Sequence, residues 1–183
     1  MATINSLTLI LCLQTLLFII SISSTHSKIF QPNDERVLQF TCSKTPYPNR
    51  CVASLLFAPN SYYADVRGLG QLMIDFAMKL EAKAGLQEIQ ELQLGGNKPG
   101  LDSCAKKYKT ILDTDIPKAS VAYNKENFNS ALIAANDAAN QATSCETAFP
   151  GKLTDRNKIM KEVSANAAAI ILKLKGDNGG VLY

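Results

Sequence analysis

The sequence predicts an all-α fold: an up-down-up-down four-helix bundle preceded by an N-terminal helical hairpin and held by two disulfides. Three observations predict it. Apolar and small residues recur in steps of three and four along most of the chain, the period of a helix face turned toward a core. No stretch shows the strict alternation of a half-buried strand. Cys104 near the start of one periodic segment and Cys145 near the end of the next come level if the two helices run antiparallel, within the roughly 4.4–6.8 Å Cα reach of a disulfide.

Residues 1–27 stand apart. No Lys, Arg, Asp or Glu occurs before Lys28, and Leu7 to Ile20 is nearly all apolar, followed by Ser21, Ser23, Ser24 and Ser27. That is a secretory signal peptide cleaved within Ser23–Ser27. The apolar run is short for a span of about 20 residues, so no membrane anchor is expected after cleavage. Cleavage removes Cys12 and His26, leaving Cys42, Cys51, Cys104 and Cys145. An even count in an oxidising compartment implies two disulfides. Three connectivities are open, and the local pair Cys42–Cys51 with the hairpin pair Cys104–Cys145 is the simplest. Loop closure then contributes about 4 kcal/mol for the longer loop and about 2.5 kcal/mol for the shorter.

The domain is expected over 28–176. Ile29, Phe30, Val37, Leu38 and Phe40 give its first piece an apolar side that should dock. Pro46 and Pro48 forbid a continuous helix between Cys42 and Cys51, and Thr45 and Asn49 are capping types. Two short helices joined by a disulfide-closed turn follow, ending at Pro59-Asn60-Ser61. The next helix should run from about Ala64 to Lys83 on the stripe Val66, Leu69, Met73, Phe76 and Leu80, with Asp75 and Lys79 as an outer i,i+4 pair. Gly68 and Gly70 mark close helix approach, and the pattern resumes after Gly85 at Leu86, Ile89 and Leu92, with a kink between. Gly95 to Gly100 is a loop.

Leu101, Cys104, Tyr108, Ile111, Leu112, Ile116 and Ala119 form the face of the next helix, which Pro117 should kink near Asp113–Ile116. A turn near Tyr123 to Asn127 leads into an alanine-rich helix through Cys145 that a partner can approach closely. After Pro150-Gly151, Thr154 caps a last helix, with Asp155 in its first turn and Lys173 and Lys175 at its end. Residues 177–183 read as a loose tail.

The formal charge of +3 is mild and the lysines are scattered, so no nucleic-acid partner is expected. Without histidine or a C-x-x-C pair after residue 27, zinc spacing is absent; neither a metal nor a cofactor is expected. No G-x-S-x-G, P-loop or dinucleotide fingerprint occurs. Glu88 and Glu91 share a helix face, but one exposed helix does not build the cleft that raises a glycosidase carboxylate's pKa. Tyr62, Tyr63 and Tyr123 are candidate contact aromatics, better read as packed or half-buried rings. The chain reads as a protein that acts by binding rather than as an enzyme.

Four anchors in order carry a family resemblance: Cys42-x-x-Thr45-x-x-Pro48-x-x-Cys51 with Val52 and Leu55, Ala64-Asp65-x-x-Gly68-Leu69, Leu101-x-x-Cys104-x-x-x-Tyr108, and Cys145-Glu146-x-x-Phe149. Over about Phe40 to Leu174 the chain resembles the plant invertase and pectin methylesterase inhibitor family. The resemblance implies the same bundle and hairpin, and cysteines paired first with second and third with fourth. It also implies an apoplastic, cell-wall or vacuolar address after secretion, and a one-to-one complex with a target enzyme that needs no cofactor.

Two branches of that family compete. Tyr108 to Pro117 and Leu153 to Asn157 look like the invertase-inhibitor branch, which places a Pro-Lys-Phe loop in the enzyme cleft. Counted without gaps, that triplet falls on Phe128-Asn129-Ser130, so the motif is missing and Lys125 lies nearby. The expected contacts are Asn124, Lys125, Asn127, Phe128, Asn129 and Ser130, with Lys125 approaching the paired carboxylates of an acid invertase (a β-fructofuranosidase) and Phe128 covering them. The methylesterase-inhibitor branch often reads Thr-Cys-x-Asp where this chain has Ser144-Cys145-Glu146-Thr147, yet Asp65 to Gln71 looks like that branch. Pectin methylesterase is therefore the alternative target, met by a helix face including Ser144 and Thr147. A small-ligand carrier is a more distant reading. It requires an internal pocket of about 300 Å³ or more, and large apolar stripes facing alanine leave little room for one.

Overall fold

The computed structural model describes residues 35–96 and 98–179, and the expected signal peptide and the segment to residue 34 lie outside them. The described residues hold six helices and no strand. Helix α1 is Glu35–Ser43 and α2 is Pro48–Leu56; a 3-10 turn at Ser61–Tyr63 follows. Helix α3 joins Val66–Leu72, a π-helical stretch Met73–Met78, and Lys79–Leu94. Helix α4 joins Pro99–Thr110, a π-helical stretch Ile111–Asp115, and Ile116–Asn124. Helix α5 is Phe128–Ala148 and α6 is Thr154–Gly179. Helices α3 to α6 make the expected bundle, α1 and α2 the expected hairpin, and α6 packs on α5, α3 and α2.

Both disulfides are the expected ones, with Cα separations of 5.4 Å for Cys42–Cys51 and 4.7 Å for Cys104–Cys145. Thr45 does cap, but at a C-terminus: its hydroxyl donates to the Cys42 carbonyl at 2.8 Å. Pro48 opens α2, where its missing N–H costs nothing. The buried Asn166 amide of α6 accepts from the Tyr47 N–H and donates to the Tyr47 carbonyl, each at 3.0 Å, so the small hairpin is registered against the bundle.

Helix α3 departs from expectation. There is no break at Gly85; the irregularity is the π-helical stretch at Met73–Met78. Its extra residue per turn advances the buried stripe, which runs Leu69, Met73, Ile74, Ala77, Met78, Ala82 and Ile89. Leu80, expected inside, is therefore half exposed, and Phe76 is only partly buried. Asp75 accepts from Gln71 instead of pairing with Lys79. Gly85 lies flat against Tyr108, where a Cβ would sit 2.1 Å from the ring. Gly70 does mark close approach, but Gly68 instead has its N–H capped by Asp65 at 2.7 Å.

The irregularity expected before Pro117 is the π-helical stretch Ile111–Asp115. A proline ring crowds the carbonyl four residues back, and a wide turn ahead of it relieves that crowding. The last helix runs past residue 176 to Gly179, so the expected tail is helical over 177–179. Lys173 is correspondingly not in a last turn; its Nζ lies 4.8 Å from the centroid of the exposed Phe40 ring.

Candidate functional site

The α4–α5 hairpin has two differently built ends. At its base, Cys104–Cys145 joins the helices, and a polar chain ties them to α6. The buried Tyr108 hydroxyl donates to Asn157 Oδ1 at 3.0 Å, and Asn157 Nδ2 donates to Glu146 Oε2 at 2.7 Å. The Thr154 hydroxyl donates to Glu146 Oε1 at 2.6 Å. These donors hold the Glu146 carboxyl below the usual carboxylate range. Thr154 thus serves as a tie back to α5 as well as opening α6.

At the tip, α4 ends at Asn124 and α5 begins at Phe128, as expected. Glu126 takes a left-handed φ of 58°, its N–H donates to the Tyr123 carbonyl at 3.0 Å, and the Asn127 N–H donates to the Ala122 carbonyl at 2.9 Å. This is the Schellman pattern that closes a helix C-terminus, here without glycine. Asn127 then caps α5 by accepting from the Ser130 N–H at 3.2 Å.

Two contacts lash the tip to the start of α3. The fully buried Tyr123 hydroxyl donates to the Arg67 carbonyl at 2.7 Å, passing so near Gly70 that a Cβ there would lie 2.2 Å from it. The Arg67 Nη1 meets Glu126 Oε1 at 2.6 Å. Phe128 stacks edge-on against Tyr123, centroids 5.7 Å apart at 71°. Arg67 and Glu126 were not singled out as site residues from the sequence, and Tyr123, weighed there as a contact aromatic, is the packed ring it was better read as. Gly70 was the available signal, since a glycine in a helix asks what lies against it.

Asn124, Lys125, Asn127, Asn129 and Ser130 are all exposed, so the turn presents five of its six expected contacts. Phe128 is the correction. It is 5% exposed, because it fills the space beside Tyr123, and it cannot cover a partner's cleft without leaving the core. Ser144 and Thr147 are exposed near the other end of α5, about 21 Å and about 26 Å from Ser130 at 1.5 Å rise per residue. The two candidate contact sets therefore belong to opposite ends of the hairpin.

A groove of about 610 Å³ runs from the turn along the flank of α4 and α5, lined by Pro117, Lys118, Val121, Ala122, Lys125, Asn127, Ser130, Ile133, Ala134 and Asp137. It opens to solvent: Val121 is 55% and Ile133 61% exposed. It is thus a surface feature, not the enclosed core pocket a carrier would need. Close by, Asp115 is buried, with Oδ2 unpartnered among the described residues. Burial, then the negative Asp137, push its carboxyl up to about 6 against the opposing pull of Lys118. Elsewhere, Glu88 and Glu81 both bind Arg156, at 3.1 and 2.8 Å, and Glu91 accepts from Gln87, so Glu88 and Glu91 are not a working pair. Tyr62 and Tyr63 are partly exposed in their 3-10 turn, and Tyr123 is internal.

A stapled helical bundle with an ordered, exposed turn at one end is built to bind a partner surface. The chain belongs to the plant invertase/pectin methylesterase inhibitor family, whose match spans residues 36–170. It is 35% identical over 138 residues to cell wall / vacuolar inhibitor of fructosidase 1 from Arabidopsis thaliana, covering 73% of this chain and 67% of that one. It is 29% identical over 140 residues to a pectinesterase inhibitor from Actinidia deliciosa, covering 74% and 75%. Among solved structures, a mutant form of a pectin methylesterase inhibitor from Arabidopsis shares its fold with a TM-score of 0.61, over 76% of this chain and 96% of that one, at 18% identity. A second pectin methylesterase inhibitor from Arabidopsis thaliana gives 0.55 over 77% and 97%.

Proposed function

We propose that this chain is a secreted inhibitor that binds an acid invertase one-to-one and blocks its cleft with the turn at 124–130. The address is extracellular, in the apoplast or cell wall, or vacuolar, reached through a signal peptide at 1–27. The observation that carries the reading is the braced turn: Lys125 is held out on a backbone fixed by Glu126, Tyr123 and Asn127. A turn ordered before binding loses less entropy on docking, and a glycosidase cleft carries the paired carboxylates that a lysine complements. The similarity to an inhibitor of fructosidase supports the same target.

The second reading is a pectin methylesterase inhibitor. The likeness to the Actinidia protein supports it, and the exposed Ser144 and Thr147 give it a face at the base of the hairpin. Titration of both enzymes with wild type, with a Lys125→Ala, Asn129→Ala double variant and with a Ser144→Arg, Thr147→Arg double variant separates the two. The invertase reading expects invertase inhibition that weakens about tenfold or more in the first variant, the order of one lost charge-assisted contact. Inhibition of methylesterase alone, lost only in the second variant, overturns it.

A further inference from the structure

The turn at 124–130 carries one charge of each sign: Lys125 is its only cation and Glu126 its only anion. A cleft lined by carboxylates attracts the first and repels the second. We propose that Arg67 on α3 is a positioning residue for the turn, holding the Glu126 carboxylate on the α3 side and leaving Lys125 as the one charge the turn presents. This rests on the reading of the turn as the inhibitory element.

Three observations point there. The first is the choice of partner. Glu126 pairs with Arg67, 59 residues away, at 2.6 Å, and not with the neighbouring Lys125. Among the described residues Lys125 forms no ion pair.

The second is that Arg67 reaches the pair from a fixed base. Its own carbonyl accepts from the buried Tyr123 hydroxyl at 2.7 Å, so α3 is registered against the last turn of α4 at the residue that carries the guanidinium. Asp65, two residues before Arg67, is engaged as the α3 cap, accepting from the Gly68 N–H at 2.7 Å. Asp115 lies nine residues before Asn124 and Asp137 nine residues after Phe128, each about 14 Å down its helix. Neither carboxylate can offset Lys125 at the turn as Glu126 would.

The third is that stability does not account for the pair. Its side chains are 45% and 55% exposed, and an ion pair that open to water adds little to folding. Glu126 also takes a left-handed φ of 58°, which glycine or asparagine adopts with less strain.

The test uses the full secreted chain and measures both the inhibition of acid invertase and the rate of association. Arg67→Ala should leave the thermal midpoint nearly unchanged. It should weaken inhibition about 5- to 10-fold at low salt, through slower association, and by less at high salt. Adding Glu126→Gln to Arg67→Ala should restore inhibition to within about threefold of wild type, because no carboxylate is then left to offset Lys125. Equal weakening by Arg67→Ala and by the double variant would make Arg67 a backbone brace only, and overturns the proposal. Wild-type inhibition by Arg67→Ala also overturns it, while leaving the turn as the inhibitory element. Wild type that fails to inhibit invertase overturns the functional reading itself, and the role of Arg67 with it.

Discussion

The two ends of the α4–α5 hairpin solve the same problem by different means. At the base, a disulfide holds the helices, and Tyr108, Asn157, Glu146 and Thr154 form a closed chain of hydrogen bonds. At the tip, no covalent bond exists. Order comes from one buried phenol, one exposed ion pair and a capped turn. The base satisfies the polar atoms of that chain among themselves. The tip spends its buried contacts on holding a polar backbone turn out in solvent, and nearby it leaves the buried Asp115 with an unpartnered oxygen. Fixing one end covalently lets the other carry exposed and unsatisfied groups, because the helices cannot splay.

The largest way to break that contrast is at the base. Replacing Cys104 and Cys145 together by serine opens the 41-residue separation and should cost about 4 kcal/mol on the loop-closure argument. Denaturant unfolding measures it. The same treatment of Cys42 and Cys51, 9 residues apart, should cost about 2.5 kcal/mol and leave the turn at the tip in place. Equal losses from both would mean that the long staple does not set the hairpin's rigidity.

At the tip the corresponding test is steric. Gly70→Ala drives a methyl into the Tyr123 hydroxyl, 2.2 Å away, with Ile170 at 3.0 Å on the other side. Overpacking of this kind costs about 2–3 kcal/mol. Tyr123→Phe alone loses the bond to the Arg67 carbonyl, about 1 kcal/mol. The double variant should be more stable than Gly70→Ala alone, because removing the hydroxyl clears the worst contact. A double variant as unstable as the sum of its parts would show that the tyrosine and glycine are not coupled.

The base of the hairpin was the more legible in sequence, and the reason is physical. Cysteine spacing and stripes at three and four report long-range pairing directly, so both staples and all the bundle helices could be placed. The phase of α3 could not, because Met73–Met78 contains no proline or paired glycines to announce a π-helical stretch. Leu80 was misplaced for that reason. Pro117 did announce the other one. At the tip, the turn's position was legible from composition. Phe128 was not recognised as internal, because an aromatic residue at a helix start reads the same whether it faces a partner or Tyr123. Glu126 carries no signal at all: no glycine marks its left-handed backbone, and its ion-pair partner Arg67 is 59 residues away.

A further, modest effect concerns the groove half of the hairpin, and it depends on pH. Burial and Asp137 raise the Asp115 carboxyl from 3.8 to about 6. The folded chain therefore holds this proton more tightly than the unfolded chain does. Stability from this group is highest below about pH 4, falls as pH rises toward 6, and is level above that. Asp115→Asn has nearly the same shape and cannot ionise. It should match wild type near pH 4 and exceed it by about 1–2 kcal/mol at pH 7, less than the roughly 3 kcal/mol full shift because an amide still leaves polar atoms buried. Glu146 acts in the opposite sense, its contribution lost as pH falls, so only the difference between the two proteins isolates Asp115. Urea unfolding from pH 4 to pH 7 supplies that difference. If the two stability curves stay parallel, Asp115 is solvated in solution, and the contrast between a satisfied base and an unsatisfied tip does not hold.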